Sequence, residues 1–305
     1  NSKGHALEGS AQADTIEGRA SNDILTGGNG VDTFVVTGGV DSITDLGTGG
    51  ADVVQVSAGA TVLGTVINTT GYIAGTGSSN DGVLNVTLDA LVAGGSTVSF
   101  ASLSGDNGVN LTGNGRETVL IGSAKGDTIT GGGNSDILTG GLGVDTFNVD
   151  SGTDEITDLG TGGADIVIVD SGATADATVT DSGGYTATSD SSNDGDLNVT
   201  LAGSVSANST VSFADLAGAN GVSLTGNGLN NVLVGSSQVD TITGGAGDDT
   251  ITGGAGDDTI TGGDGVDTFN VDFGTDEITD LGTGGADIVI VDSGATADAT
   301  VTDSG

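Results

Sequence analysis

The stretch "GGAGDDTITGGAGDDTITGGDGVDTFN", residues 244–270, says nearly the same nine residues three times, and an aspartate always falls sixth. A glycine-rich acidic tract would ordinarily be a loose linker. A carboxylate held at one phase of nine instead requires that every ninth residue meet the same surroundings. Ten nonapeptides align on this pattern, with Asp14, Asp23, Asp32, Asp127, Asp136, Asp145, Asp240, Asp249, Asp258 and Asp267 at position six. Position eight is always large and apolar: Ile16, Leu25, Phe34, Ile129, Leu138, Phe147, Ile242, Ile251, Ile260 and Phe269.

Physical chemistry accounts for both positions. Three residues around the apolar one make a very short strand whose middle side chain points inward. The six before it reverse the chain, and glycine permits positive φ there without steric cost. Stacked coils of this kind place equivalent residues about 4.8 Å apart, the strand spacing. Aspartates at that distance repel, so a pile of them calls for a cation between neighbours. A hard divalent ion taking about six to eight oxygens, turn carbonyls included, is Ca2+. Mg2+ needs a tighter octahedron and sheds water reluctantly, while zinc and copper lack their His and Cys ligands. The turn carbonyls expected to join the aspartates are those of Gly27, Gly30, Gly140, Gly143, Gly244, Gly247, Gly253, Gly256, Gly262 and Gly265.

The charge balance agrees. The 305 residues carry 42 acids against four Lys and Arg, a net charge of −38. Nothing here could neutralise a phosphate, so nucleic acid and anionic lipid surfaces are excluded as electrostatic partners. Only Glu8, Glu17, Glu117, Glu155 and Glu277 are glutamate; the other 37 acids are Asp. The short side chain suits carboxylates held close to a tight turn. The acidic surface of a salt-loving organism would also deplete lysine, but it would scatter its charges rather than repeat them at one phase. Cysteine is absent, so there is no disulfide framework. No apolar run approaches the length of a membrane span, and membrane insertion is not expected.

A longer period encloses the nonapeptides. "GVDTF" recurs at 30–34, 143–147 and 265–269, and "TDLGTGGAD" at 44–52, 157–165 and 279–287, with offsets of 113 and then 122. The second offset is longer by one nonapeptide, which suggests nine as the structural quantum, with nothing downstream disturbed by an added unit. The repeats run off both ends, so the sequence reads as roughly two and a half copies of a longer array. The expected organisation is a partial roll at 1–35, a β-rich insert at 36–112, rolls at 113–148 and 226–270, a second insert at 149–225 and a truncated insert at 271–305. The inserts alternate apolar and polar residues in runs such as "ADVVQV" and "STVSF", with turn signals such as Asn80-Asp81-Gly82 and Asn193-Asp194-Gly195 between them. The chain therefore reads as all-β. Short parallel β-rolls should alternate with β-sandwich or β-solenoid segments, and the sandwich is preferred because the inserts lose the nine-residue phase.

The pattern G-G-x-G-x-D-x-U-x resembles the calcium-binding repeat of the RTX (repeats-in-toxin, haemolysin-type) proteins. Five nonapeptides match it fully: "GGNGVDTFV", "GGLGVDTFN", "GGAGDDTIT" twice and "GGDGVDTFN". "GSAQADTIE" and "GRASNDILT" depart most, lacking the second and fourth glycines. The resemblance covers about a third of the chain. It implies a parallel β-roll with Ca2+ held between coils by the position-six Asp and turn carbonyls, and export by a type I secretion system of a Gram-negative bacterium. The segment "DSITDLGTGGAD" and its copies resemble the region that often follows such rolls. There Asp41, Asp45, Asp52, Asp154, Asp158, Asp165, Asp276, Asp280 and Asp287 are either further calcium ligands or turn-forming and edge-protecting residues.

Three functions fit. The first is a structural element of a secreted, self-associating array: a surface layer, an extracellular filament or an adhesin stalk touching cell surface or matrix. The second is the secretion and folding region of a larger exoenzyme or toxin, and the third a module that recognises surfaces or sugars. Near-identical repeats favour the first, since a fibre gains length by copying units. Catalysis within these residues is not expected: His5 is the sole histidine and reads as a surface residue, and no zinc, nucleophile-elbow or phosphate-loop motif occurs.

Overall fold

The computed structural model describes residues 3–302. Every regular element among them is a β-strand, and every pairing described is parallel. The chain divides into two compact units, residues 1–154 and 155–305. In the first unit, one face is a ladder of strands in chain order. It runs through Ala6–Glu8, Ile24–Thr26, Val40–Leu46, Thr61–Val66, Val83–Leu88, Asn110–Thr112, Thr128–Thr130 and Thr146–Val149. The strands between them close the coils, as two shorter ladders. Thr15–Gly18, Thr33–Val36, Val53–Val56 and Ser79–Asn80 form one; Gly71–Ile73, Ser96–Ser99, Thr118–Ile121 and Ile137–Thr139 form the other. A parallel pair needs a crossover connection, and here the crossover is the strand on the opposite side of the coil.

The second unit repeats the scheme. One ladder runs through Thr174–Val179, Asp196–Leu201, Val222–Thr225, Thr241–Ala246, Thr259–Asp264, Thr275–Leu281 and Thr296–Val301. Its counterpart runs through Gly184–Thr186, Thr210–Ser212, Val232–Val234, Thr250–Thr252, Thr268–Val271 and Ile288–Val291.

Register corrects two expectations. Ile16 pairs with Phe34 and Leu25 with Ile43, each eighteen residues on. A coil is therefore two nonapeptides, and nine residues are half a coil rather than the quantum. The inserts, for their part, are not sandwiches. They continue the same parallel stacking with longer coils: Phe34 pairs with Val54, Val62 with Leu84 and Val86 with Leu111, at separations of 20, 22 and 25 residues. Wider turns absorb the extra residues, so the solenoid survives while the nine-residue phase disappears. Asn80-Asp81-Gly82 does make a turn, but it is a corner from Ser79–Asn80 into Val83–Leu88, strands of different ladders.

The core is one apolar residue deep on each face. All ten position-eight residues are buried, as their spacing predicts. In the second unit Val199, Leu224, Ile242 and Ile260 stack in register on one side. Tyr185, Val211, Leu233, Ile251 and Phe269 stack on the other. Strand residues flanking these point outward. Thr178, Thr200, Thr225, Thr243 and Thr261 form a column one coil apart, and Thr261 and Thr279 share a hydroxyl hydrogen bond of 2.7 Å. β-Branched residues suit both directions of such a pleat. Tyr72 and Tyr185 are buried too, each packed against a phenylalanine ring (Phe100, Phe213) with centroids 5.5 Å apart, and each donating its hydroxyl to a carbonyl, of Asp52 and Asp165 respectively.

The stacking predicts unequal costs along one strand. Ile251→Ala removes a fully buried side chain between Leu233 and Phe269 and should destabilise the calcium-loaded protein by about 2–5 kcal/mol. Thr250→Ala, on the outward side, should stay within about 0.5 kcal/mol. Denaturant midpoints of the two variants check this.

Candidate metal centre

Each complete nonapeptide spends its glycines on different tasks. At position two, Gly28, Gly141, Gly245, Gly254 and Gly263 have φ between +94° and +115°; at position four, Gly30, Gly143, Gly247, Gly256 and Gly265 have φ between +106° and +145°. Side-chain-bearing residues rarely adopt such angles. Position one needs glycine for lack of space: a Cβ on Gly27, Gly140, Gly244, Gly253 or Gly262 would overlap Oδ2 of the aspartate five residues on. Gly244 is also approached by the carbonyl oxygen of Gly262, one coil later. A carboxylate oxygen and a turn carbonyl thus converge on the same side of a bare backbone. Sequence reasoning named positions one and four as carbonyl donors; the position-two glycines entered it only as part of the repeat pattern.

The two oxygens of each aspartate do different work. Oδ1 accepts the backbone N–H of the position-six residue one coil earlier. The relay runs Asp14 to Asp32 (2.8 Å), Asp127 to Asp145 (2.8 Å), Asp136 to Asp154 (3.0 Å), Asp240 to Asp258 (2.8 Å), Asp258 to Asp276 (3.1 Å) and Asp249 to Asp267 (2.8 Å). Asp23 donates in the same way to Asp41, at 2.9 Å. Hydrogen bonds therefore tie rung to rung without any ion. Oδ2 is the oxygen left over. In Asp32, Asp136, Asp249, Asp258 and Asp267 it is buried and has no hydrogen-bond partner.

The acids that follow the rolls separate into two kinds. Asp41, Asp154 and Asp276 prolong the ladder, each with a buried Oδ2 that has no donor. Asp45 instead accepts the N–H groups of Gly27 and Gly28, and Asp280 those of Gly262 and Gly263. Asp52 accepts from Asp32 and Gly47, and Asp287 from Asp267 and Gly282. Asp165 accepts from Gly160, and Asp158 holds the place of Asp45 in the next copy. Asp45, Asp52, Asp280 and Asp287 have both oxygens engaged by backbone amides and close turns. Of the acid pairs, Asp249 is buried while its neighbour Asp248 is exposed and accepts the N–H of Val266. His5 lies with Nδ1 3.3 Å from Asp23 Oδ1, its side chain 54% exposed; its backbone N–H is the chief reason the Asp23 carboxyl is held below the usual range.

These residues fit a hard cation. A buried carboxylate oxygen without a donor is costly unless something positive meets it. Among the described residues no group of three or more His, Cys, Asp or Glu side chains converges, so an ion at a rung would take most of its shell from backbone carbonyls. Asp32, Asp136, Asp249, Asp258 and Asp267 would hold it with the carbonyls of their glycine turns. An all-oxygen, flexible donor set suits Ca2+.

Burial has a measurable signature. It pushes the carboxyls of Asp154, Asp249 and Asp258 up to about 7 and that of Asp52 to about 6, and raises those of Asp136, Asp267 and Asp276 as well. An unfolded Asp titrates near 4. The cation-free fold therefore holds protons that the unfolded chain has released, and it is least stable above pH 7. With a chelator present, the folded fraction read by circular dichroism should rise as pH is lowered from 8 towards 5. With excess Ca2+ this rise should vanish, because protons and calcium compete for the same oxygens.

The profile of the RTX calcium-binding nonapeptide repeat matches four stretches, residues 7–43, 112–156, 225–260 and 246–278. No curated protein and no solved structure matches the chain. The matched stretches contain every ladder aspartate with an open Oδ2. Its nonapeptide tracts are RTX calcium-binding repeats, and the chain is an RTX-type repeat protein.

Proposed function

We propose that this is a secreted structural protein that folds when it meets calcium outside the cell and forms part of a surface layer, an extracellular filament or an adhesin stalk. The observation that carries the reading is the row of buried, donorless carboxylate oxygens in a chain of net charge −38. Such a chain has little reason to stay compact without counter-charge. Metal binding then becomes folding free energy. Extracellular calcium modules operate at roughly 10⁻⁴ to 10⁻³ M, so the polypeptide would stay extended in the cytosol, pass through a type I exporter and lock on arrival. No cysteine or proline is present to impose a slow step on that locking.

The way the coils stack supports the structural role. Each new coil adds a strand to existing parallel ladders and extends a core one residue deep, so copying units lengthens the body without redesign. Self-association with further copies of the same repeat is the partner this predicts, with cell surface or matrix at the contact. The buried tyrosines offer no aromatic platform for a sugar, and no catalytic role is assigned.

Circular dichroism and small-angle scattering of the 305-residue chain with chelator and with millimolar Ca2+ test the switch, and electron microscopy tests the assembly. A shift from an expanded chain to a compact β-protein is expected on adding calcium, followed by ordered association. An equally compact chain in chelator would overturn the folding switch. A monodisperse monomer at high concentration in calcium would overturn the assembly.

A further inference from the structure

The position-six side chains fall into two groups according to what stands at position two. Where that residue bears a side chain, its own backbone N–H turns inward and caps the position-six residue of the same repeat. Ser10 donates to Asp14 Oδ2 at 2.6 Å, Ser123 to Asp127 Oδ2 at 2.5 Å and Ser236 to Asp240 Oδ2 at 2.6 Å. Arg19 does the same to Asp23 Oδ2 at 3.3 Å, and Asn227 to Oδ1 of Asn231 at 2.9 Å. The three serines add their hydroxyls to the same carboxylates, and each Oγ accepts the N–H of its position-four residue, Gln12, Lys125 or Gln238.

Where position two is glycine, the N–H faces elsewhere. Gly28, Gly132, Gly254 and Gly263 donate to Asp45, Asp150, Asp272 and Asp280 of the next coil. The aspartates of those same repeats, Asp32, Asp136, Asp258 and Asp267, each have a bare, buried Oδ2, as does Asp249 in the repeat with Gly245 at position two. The cause is backbone handedness. The open turn uses positive φ at positions two and four; even "GGGNSD" obeys, with Asn134 at φ +73°, one of only two such non-glycine residues among those described. Ser10, Ser123 and Ser236 keep negative φ, and so does every residue at position four of their repeats.

We propose that the turn exists in two forms, and that residues two and four decide which rungs take calcium. The open Gly-Gly turn leaves Oδ2 for an ion. The closed turn satisfies Oδ2 from within, so that Asp14, Asp23, Asp127 and Asp240 are ion-free rungs. In each of the second and third tracts a closed rung precedes the open ones: Asp127 before Asp136, and Asp240 before Asp249, Asp258 and Asp267. These closed turns splice insert coils onto the calcium ladder without needing an ion themselves. The proposal rests on the calcium reading of the open rungs.

Counting bound Ca2+ per full-length chain by native mass spectrometry and equilibrium dialysis tests it. Converting a closed turn to the open composition, Ser236→Gly with Gln238→Gly, should raise the count by one ion. Ser236→Ala with Gln238→Ala keeps side chains at both positions and should leave the count unchanged. The reverse exchange, Gly254→Ser with Gly256→Gln, should lower it by one. Circular dichroism verifies that each variant folds; should the first fail to, Ser123→Gly with Lys125→Gly takes its place. A wild-type protein that binds calcium while the folded opened variant holds the same number of ions overturns the two-form proposal. A wild-type protein that binds none overturns the calcium reading instead.

Discussion

Each open-turn aspartate of the ladder divides its carboxylate between two jobs, and the structure depends on that division. Oδ1 receives an amide from the coil before, as Asp258 does from Asp240, which fixes one coil's turn over its neighbour's. Oδ2 then has nowhere to go but into a narrow space lined by a glycine and by carbonyl oxygens. The geometric half of the interaction is made by the chain alone. The electrostatic half is unfinished, because burying a charge without a partner costs far more than a hydrogen bond returns. Shape is thus written into the polypeptide, while the free energy to hold that shape is supplied by the surrounding medium.

The acids outside the ladder soften the picture of a plain polyanion. Asp45 and Asp280 each clasp two consecutive glycine amides of the preceding coil, and exposed Asp248 and Asp257 accept the N–H of Val266 and Thr275. A glycine turn that bends away from regular pairing strands its amides, and short acidic side chains on a neighbouring coil collect them. Asp outnumbers Glu because the acceptor must lie close to the backbone it serves. Negative charge here is largely the by-product of capping turns.

Much of this could be read from the residues. The period named the position-eight core and the position-six ladder, because both environments recur identically in every coil. Nine residues looked like the unit because the two halves of a coil have the same composition; only pairings such as Leu25 with Ile43 show that eighteen close a circuit. The inserts were illegible for the opposite reason. Their coils lengthen from 20 to 25 residues through turns of varied size, so no fixed phase survives even though the ladder does. Nor could sequence separate Asp41 from Asp45. Both lie on the strand Val40–Leu46, yet one keeps a bare oxygen and the other clasps two amides. The difference comes from a coil 18 residues away.

That a nonapeptide is half a circuit governs how such chains can evolve in length. Nine added residues carry everything after them to the opposite face, whereas eighteen return it. The identical hexapeptides Thr174–Val179 and Thr296–Val301, separated by 122 residues, stand on the same ladder; one nonapeptide fewer between them would have turned the second copy's face by half a revolution. Duplication slippage in this gene would therefore act as a two-position rotary selector, with odd or even parity choosing which side the next copy displays.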